Sequence, residues 1–559
     1  MRGAVARWVP IVGWLPAYRR GWLGADVIAG FTLWGLLIPE MIAYASLAGL
    51  PPQAGLYTLL ATLVIYAVFG TSKHLVVAGT SASAVLVFSA ITEFKPKDAA
   101  SYAAHAAGLI ALTGILFIVA GLLRLGFITE FLSRPVMEGF VFGLAIFVSV
   151  SQLPKILGLE KGEGNTLSQL GHLIVNLGNA SITTAVVGAA ALLVLFGLER
   201  RAPRIPGGLM VLVLGITVSA LFNLSSHGVA IVGDIPSGLP SVQRPRLHLD
   251  DLWVLIPSAL GLMLVIFSEA LGVAKTFADK HGYRIDSNQE MIALGLANIG
   301  SSFVRGLAGG GSLSQTAVNE GAGARSQASP LFAALLSLIT VIALTPLFHD
   351  LPEAVLAALI IHGVSRLMKI GVLLGFFRLH PSEFWLGLAT LAGVVVLGVL
   401  PGLVIGVVVS IVLVLARLSR PGVSILGQDR DVPSAYVSLA RHPDARPIPG
   451  VLIVQPKAPL FYANAQGVQD GIDEAVSSMG DTLHAVVLDL DATDELDITS
   501  AVHLLKLRNE LEKRGVELRL AHVHTPTLRI AKLTGLLDER GAEHVFPNID
   551  AAIRGRVDM

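Results

Sequence analysis

Two glutamates sit inside apolar runs: Glu40 in TLWGLLIPEMIAYASLAG and Glu269 in LGLMLVIFSEALGVA. A carboxylate near the middle of a bilayer costs at least about 2.5 kcal/mol, so an acid placed there is a functional candidate by default. Two chemistries suit it: taking up and releasing a proton, or orienting a substrate by hydrogen bond. The alternative is a permanently protonated acid bonded to a neighbouring helix. Pro39 precedes Glu40 and frees a backbone carbonyl beside it. Tyr44 follows one helical turn later on the same face, placed either to line the same cavity or to pack. Each acid is followed by a Gly/Ser/Thr-rich interruption, VVAGTSASAVLV (76–87) after the first and GGGSLSQTAV (309–318) after the second. Neither interruption holds a basic side chain. Thr80, Ser81, Ser83, Ser312, Ser314, Gln315 and Thr316 offer hydroxyl and amide groups instead, a set suited to holding an anion weakly enough to let it go. His362 and Arg366, one turn apart, suit a structural role or an inner mouth better than substrate binding.

The elements that position these residues follow from composition. The chain of 559 residues is 53% hydrophobic and 14% charged, against about 25% charged in a soluble domain. Its mean hydropathy is +0.70. Apolar stretches of near-spanning length recur between residues 27 and 418, so the expected class is a polytopic α-helical membrane protein. Alternating ten-residue segments, the mark of a membrane β-barrel, are absent. The formal net charge is +0 and cysteine is absent. The first gives no basic surface for nucleic acid; the second removes disulfides, thiolate metal sites and cysteine nucleophiles. No cofactor is called for.

Fourteen candidate segments are expected: 27–48, 54–70, 78–91, 104–123, 136–153, 181–198, 207–223, 252–273, 288–304, 312–321, 329–348, 353–369, 382–399 and 402–418. The third and tenth are too short to cross as full helices. With the N-terminus inside, the inner loops hold Lys73, Arg124, Arg134, Arg200, Arg201, Arg204, Lys275, Lys280, Arg284, Arg325, Lys369 and Arg378. The outer ones hold Lys95, Lys97, Lys155, Lys161, Arg244, Arg246 and Arg305. This bias is the positive-inside rule and puts both ends of the chain in the cytoplasm of a cell inner (plasma) membrane. Residues 1–26, with arginines but no signal-peptide layout, read as an amphipathic lead-in against the lipid surface. After about residue 430 the composition changes. Strands at 450–455, 484–491 and 517–523 alternate with helices at 499–515 and 526–537, a small α/β domain over 433–557.

The two halves of the membrane region, 27–223 and 252–418, carry the acid and the interruption at matching places. Paired short segments of this kind mark a binding site at a repeat interface, whereas small residues alone mark close helix packing. Seven segments per half is odd, so the second half is inverted. The third and tenth segments then start from opposite sides, and as half-helices their N-termini meet near the midplane. Free backbone N–H groups and two positive dipole ends there suit an anion.

PPQAGLYTLLATLVIYAVFGTSKH (51–74) resembles the signature of the SulP family of sulfate permeases and related anion transporters. The matching residues are Pro52, Gly55-Leu56-Tyr57 and Gly70-Thr71-Ser72-Lys73, with Ala54 where an aromatic is usual. IPEMIAYASLAGLPP (38–52), NQEMIALGLANI (288–299) and GGGSLSQTAV are similar to that family's first-, ninth- and tenth-segment motifs. The C-terminal domain is similar to a STAS domain. The resemblance covers essentially the whole chain. It implies two inverted seven-segment repeats divided into a core domain (segments 1–4 and 8–11) and a gate domain (5–7 and 12–14), a homodimer, and elevator-like movement of core against gate. It implies substrate binding at Glu40, Tyr44, Ser81, Glu269, Ser312, Leu313, Ser314 and Gln315; the reading of the interruptions themselves adds Thr80 and Gly311, and the reading of the buried acids gives proton coupling to Glu40 and Glu269. Two departures bear on this. Gln315 stands where many relatives keep arginine, which removes a fixed charge. Val273 stands one turn after Glu269, where sodium-coupled bicarbonate relatives keep threonine, so a proton is favoured over sodium. In the STAS domain Ile498, within DITS (497–500), occupies the position phosphorylated in bacterial anti-sigma antagonists, although Thr499 is adjacent.

The expected function is secondary active transport of a small anion rather than catalysis. The substrate is an oxyanion such as sulfate or bicarbonate, or a small dicarboxylate; that the STAS domain is a signalling or assembly module binding a cytosolic partner is a separate hypothesis. An anion channel and a nucleobase:proton symporter on the same scaffold are the alternatives.

Overall fold

The computed structural model describes residues 8–92, 94, 96, 98–127, 133–162, 164–201, 207–245, 252–419, 422–479, 482–537 and 544–555. The expectations for Lys95, Lys97, Arg204, Arg246, residues 1–7 and residues 556–557 lie outside these. The chain separates into two compact units, Met1–Ser410 and Ile411–Met559.

The membrane region is helical wherever a segment is expected, and its last helix runs across the boundary between the units. Its first half holds α1 (Leu23–Leu47), α2 (Pro52–Phe69), α3 (Ser81–Thr92), α4 (Ala99–Leu122), α5 (Arg134–Leu157), α6 (Thr166–Asn176), α7 (Ile182–Arg201) and α8 (Gly207–Phe222). Its second half holds α9 (Leu252–His281), α10 (Ser287–Phe303), α11 (Leu313–Gly321), α12 (Ala328–Ile339), α13 (Glu353–Ser365), α14 (Ile370–Leu379), α15 (Pro381–Leu397) and α16 (Val399–Ser419). α9 runs on past its expected end at residue 273, so Lys275 and Lys280 ride on the helix itself. α3 and α11 have 12 and 9 residues; at about 1.5 Å per residue neither spans a ~30 Å hydrocarbon layer.

Two helices were not expected. α6 and α14 follow the fifth and twelfth segments, the same place in each repeat. In α6 the buried residues Thr166, Gln169 and Leu173 share one stripe, while Leu170, Ile174 and Val175 are exposed. Helices of 11 and 10 residues are too short to register as spanning runs.

Packing sorts the helices into two groups. α10 lies on α4 and α2, α12 on α1 and α2, and α9 on α4, forming the core domain. α5 packs on α13 and α15, and α13 on α7, forming the gate domain. Glycine permits the closest crossings, as at many helix contacts in lipid. A Cβ on Gly114 would meet the Gly295 carbonyl oxygen at 2.7 Å, and one on Gly139 would run into that of Gly387.

Buried acids tie the ends of the core helices. Glu290 near the start of α10 accepts from the Tyr66 hydroxyl at 2.7 Å and from the Thr71 N–H and Oγ1 at 2.7 and 2.6 Å. It also accepts from the Ser72 N–H at 3.2 Å. The Gly-Thr-Ser end of the 51–74 signature is therefore the cradle of this carboxylate. Asp26 in α1, fully buried, accepts from the Arg325 N–H at 2.7 Å and the Ser326 hydroxyl at 2.9 Å, fastening the loop after α11.

The second unit is built on a six-stranded sheet of order β4-β3-β5-β6-β7-β8. Its strands are β3 (Val423–Gln428), β4 (Tyr436–Ser438), β5 (Val451–Pro456), β6 (Ala485–Asp489), β7 (Glu517–Ala521) and β8 (Val545–Phe546). The first of these lies ahead of the proline-marked start at residue 433. β5 to β8 run parallel, and β3 is antiparallel to β4 and β5. α17 (Ala465–Met479) and α18 (Ile498–Lys513) bury Val468, Ile472, Leu504 and Leu507 in one core; α20 (Ile549–Arg554), which follows α19 (Thr525–Leu533), buries Ile549 and Ala552 in another. Ile498 opens α18 with 68% of its surface exposed, and Asp497 caps the helix through the Ser500 N–H. The Tyr436 hydroxyl donates to Asp550 at 2.7 Å, tying β4 to α20. Burial, then the Asp550 carboxylate, push its phenol up from the ordinary tyrosine range. Tyr436→Phe is expected to destabilise this unit by about 0.5–1.5 kcal/mol, read from denaturant melting of the second unit's signal in the full chain. An unchanged midpoint would show that the hydrogen bond contributes nothing.

Candidate functional site

The two Gly-rich interruptions meet as a two-stranded antiparallel ribbon. β1 (Val77–Gly79) pairs with β2 (Gly309–Gly311) in the register Val77↔Gly311, Ala78↔Gly310 and Gly79↔Gly309. Every residue in it is buried. The three glycines of β2 are extended rather than turned; what they permit is close approach. A Cβ on Gly311 would lie 2.7 Å from Ala270 Cα in α9, and one on Gly309 would lie 2.7 Å from Thr62 Cγ2. Asn298 of α10 fixes Gly309 through both backbone groups, donating from Nδ2 to the carbonyl at 2.9 Å and accepting from the N–H at 3.0 Å. Thr58 Oγ1 accepts from the Leu307 N–H at 2.6 Å. The ninth-segment motif therefore positions the ribbon. A lone Asn in an apolar helix was the available signal for that role.

From this ribbon the two half-helices start in opposite senses, as the repeat argument requires. Thr80 and Ser83 cap α3 reciprocally: the Ser83 N–H donates to Thr80 Oγ1 and the Thr80 N–H to Ser83 Oγ, both at 3.1 Å. Ser312 is the N-cap of α11; its Oγ accepts weakly from the Gln315 N–H at 3.5 Å and lies 3.0 Å from Ser314 Oγ. After these bonds, four first-turn N–H groups have no acceptor among the described residues: Ser81 and Ala82 in α3, Leu313 and Ser314 in α11. Uncapped first-turn donors at the positive end of a helix are the standard means of holding an anion. Leu313 leaves 49% of its surface open at this point.

The predicted acids flank the ribbon differently. Glu40 accepts from Gln315 Nε2 at 2.9 Å, and the same nitrogen donates to the Gly79 carbonyl at 3.2 Å. Two acceptors on one side fix the amide's orientation. Gln315 is thus a crossbrace between α1, β1 and α11, with its donor engaged and its buried Oε1 left without a partner. Glu269 is half-buried on α9 and forms no hydrogen bond or ion pair among the described residues. Tyr44 is buried one turn above Glu40, within electrostatic reach of Glu40, Glu269 and Arg366. Its hydroxyl faces the gate, 3.6 Å from where a Cβ on Gly363 of α13 would sit. His362, in the last turn of α13, and Arg366, the residue after its end, both grip Glu199 of α7, at 2.9 and 3.0 Å. That is a structural clamp within the gate, with a cation placed near the site. No cluster of metal-ligating side chains occurs among the described residues.

The sulfate permease family profile matches residues 23–390 and the STAS domain profile residues 442–552. A "Probable sulfate transporter" of Mycobacterium tuberculosis is 33% identical over 98% of this chain and 98% of its own. "Sulfate transporter 3.1" of Arabidopsis thaliana is 30% identical over 98% of this chain and 86% of its own. Among solved structures, the murine Solute Carrier 26 family member A9 anion transporter in its inward-facing state superposes with TM-score 0.92. It is 26% identical, over 99% of this chain and 94% of that one. The transmembrane domain of a cyanobacterial bicarbonate transporter shares the fold at TM-score 0.61 and 23% identity, over 71% of this chain and 98% of that one. A chain whose half-helices meet at a buried ribbon, matched along its length by these relatives, belongs to the sulfate permease family and is a multi-pass anion transporter with a STAS domain.

Proposed function

We propose that this protein is a proton-coupled secondary transporter of a small oxyanion, sulfate foremost, working by elevator-like movement of the core domain against the gate. The observation that carries the reading is the set of four unpaired N–H groups at the starts of α3 and α11, beside an acid with no cationic neutraliser in hydrogen-bond contact. The sulfate relatives support the choice of substrate.

Coupling follows from placement. Glu40 is bonded through Gln315 to the half-helix that offers its N–H groups to the anion. An ionised carboxylate there repels a second anion, and a protonated one does not. Anion and proton therefore load together and leave together. The binding residues of both half-helices belong to the core, so that domain carries the load while the gate stays fixed. The working form is a homodimer in the cell inner membrane, both termini cytoplasmic, with the STAS domain available to a cytosolic partner.

Glu40→Gln keeps the size of the side chain and removes its titration. In proteoliposomes given an inward proton gradient, labelled sulfate uptake by this variant is expected to lose the stimulation by the gradient, at least tenfold, while sulfate–sulfate exchange continues. Uptake that still rises with the gradient as in the wild type would overturn the coupling role. Uptake by the wild type that ignores the gradient would overturn proton coupling altogether.

A further inference from the structure

Two lysines reach from the gate to the core at the end of the bundle that the charge bias assigns to the outside. Lys155, in the last turn of α5, donates from Nζ to Ser46 Oγ of α1 at 2.9 Å and pairs with Glu353 of α13 at 3.0 Å. Lys161, in the loop after α5, sets its ammonium over the Phe88 ring of α3, 3.9 Å from the centroid. α1 and α3 are the elements that bring Glu40, Tyr44 and Ser81 to the site. Phe88 lies two turns beyond Ser81, about 10 Å along the helix axis, and Ser46 about 9 Å beyond Glu40. Both lysines therefore touch the core above the anion site, and each contact joins a gate element to a core element.

We infer that Lys155 and Lys161 form a cationic outer gate, which fastens the core when the outer mouth is closed and receives the anion when it is open. The inference rests on the elevator reading. The partners are unequal in a way that suits both duties. Ser46 and Phe88 ride on the moving core, so both contacts must break when the site turns outward. Glu353 belongs to the gate and stays with Lys155, holding it in place. Lys161 has no carboxylate partner among the described residues, so its ammonium is free to meet an anion once it leaves Phe88. The closed contacts are a half-exposed ion pair and a cation–π contact, both weak at a wet surface. Such a latch sets a population without freezing the cycle.

The chain contains no cysteine, so Ser81→Cys makes a single reporter at the anion site. In oriented proteoliposomes of the full chain, a membrane-impermeant thiol reagent is applied to either face. Lys155→Met combined with Lys161→Met is expected to speed labelling from the outside about threefold or more, and to slow labelling from the inside. In the chain without the reporter, the same pair of changes is expected to raise KM for outer sulfate about fivefold, and Lys→Arg at both positions to restore it. Outside labelling unchanged by the Met changes, with the reporter reached from both faces, would overturn the latch and leave alternating access standing. An unchanged outer KM would overturn the anion-receiving role. A reporter reached from one face only, in every variant, would overturn the elevator reading and the latch with it.

Discussion

Glu290→Leu is expected to cost the purified protein more stability than any single change at the ribbon, about 3 kcal/mol or more. Four donors converge on the Glu290 carboxylate, from Tyr66, from both the N–H and the hydroxyl of Thr71, and from the Ser72 N–H. Leucine fills much of the volume and accepts nothing, so these donors stay buried and unsatisfied. Each such group costs about 1–3 kcal/mol. Glu290→Gln retains one accepting oxygen and is expected to lose roughly a third as much, by the same accounting per group. The measurement is apparent melting in detergent or nanodiscs, with monodisperse yield as a second readout. A leucine variant that melts with the wild type would show that water, or a rearranged 70–72 loop, meets these donors instead.

Gly311→Ala is the second large effect, and it separates transport from folding. The added methyl would lie 2.7 Å from Ala270 Cα, 2.8 Å from Ala270 Cβ and 2.8 Å from Leu75 Cδ1. The nearest atom is backbone, so α9 and the ribbon must move apart. Overpacking of this kind costs about 1–3 kcal/mol, which a protein of this size survives. The movement acts on Glu269, next to Ala270 in α9, and on Ser312, next to Gly311. Sulfate uptake is expected to fall at least tenfold while the protein still purifies as folded. Gly171→Ala in α6, where a Cβ meets nothing within 4 Å, is the matched control and is expected to leave uptake unchanged. Equal uptake by the two variants would rule out the ribbon–α9 packing as a requirement for transport.

Much of this arrangement was legible in the sequence because the bilayer imposes it. Long apolar runs report spanning helices, and the matching Glu40/Glu269 and Gly-rich pairs report the inverted repeat. What stayed hidden depended on contacts between distant segments. That residues 77–79 and 309–311 form a ribbon could not be read from three glycines, which equally suit a turn. Gln315 looked like a missing arginine, but its amide is a brace to Glu40 and Gly79, a role visible only once α1, β1 and α11 are brought together. The amphipathic α6 and α14 escaped because they are short and half-exposed. Glu290 belongs to a legible motif, whereas its partners lie more than 200 residues away in sequence.

The ribbon joins the first half of the membrane region to the second. Its three residue pairs are main-chain links, and Asn298 reinforces them on main-chain atoms as well. The two repeats are therefore riveted together by groups that every amino acid possesses. The side chains just downstream, Ser81 on one arm and Ser312 to Ser314 on the other, can be exchanged without loosening the rivets. With the anion held at these helix starts as proposed, such a carrier resembles a tool with a fixed handle and replaceable tips: recasting which anion it grips asks for changes at a few helix-starting residues, not for a new machine.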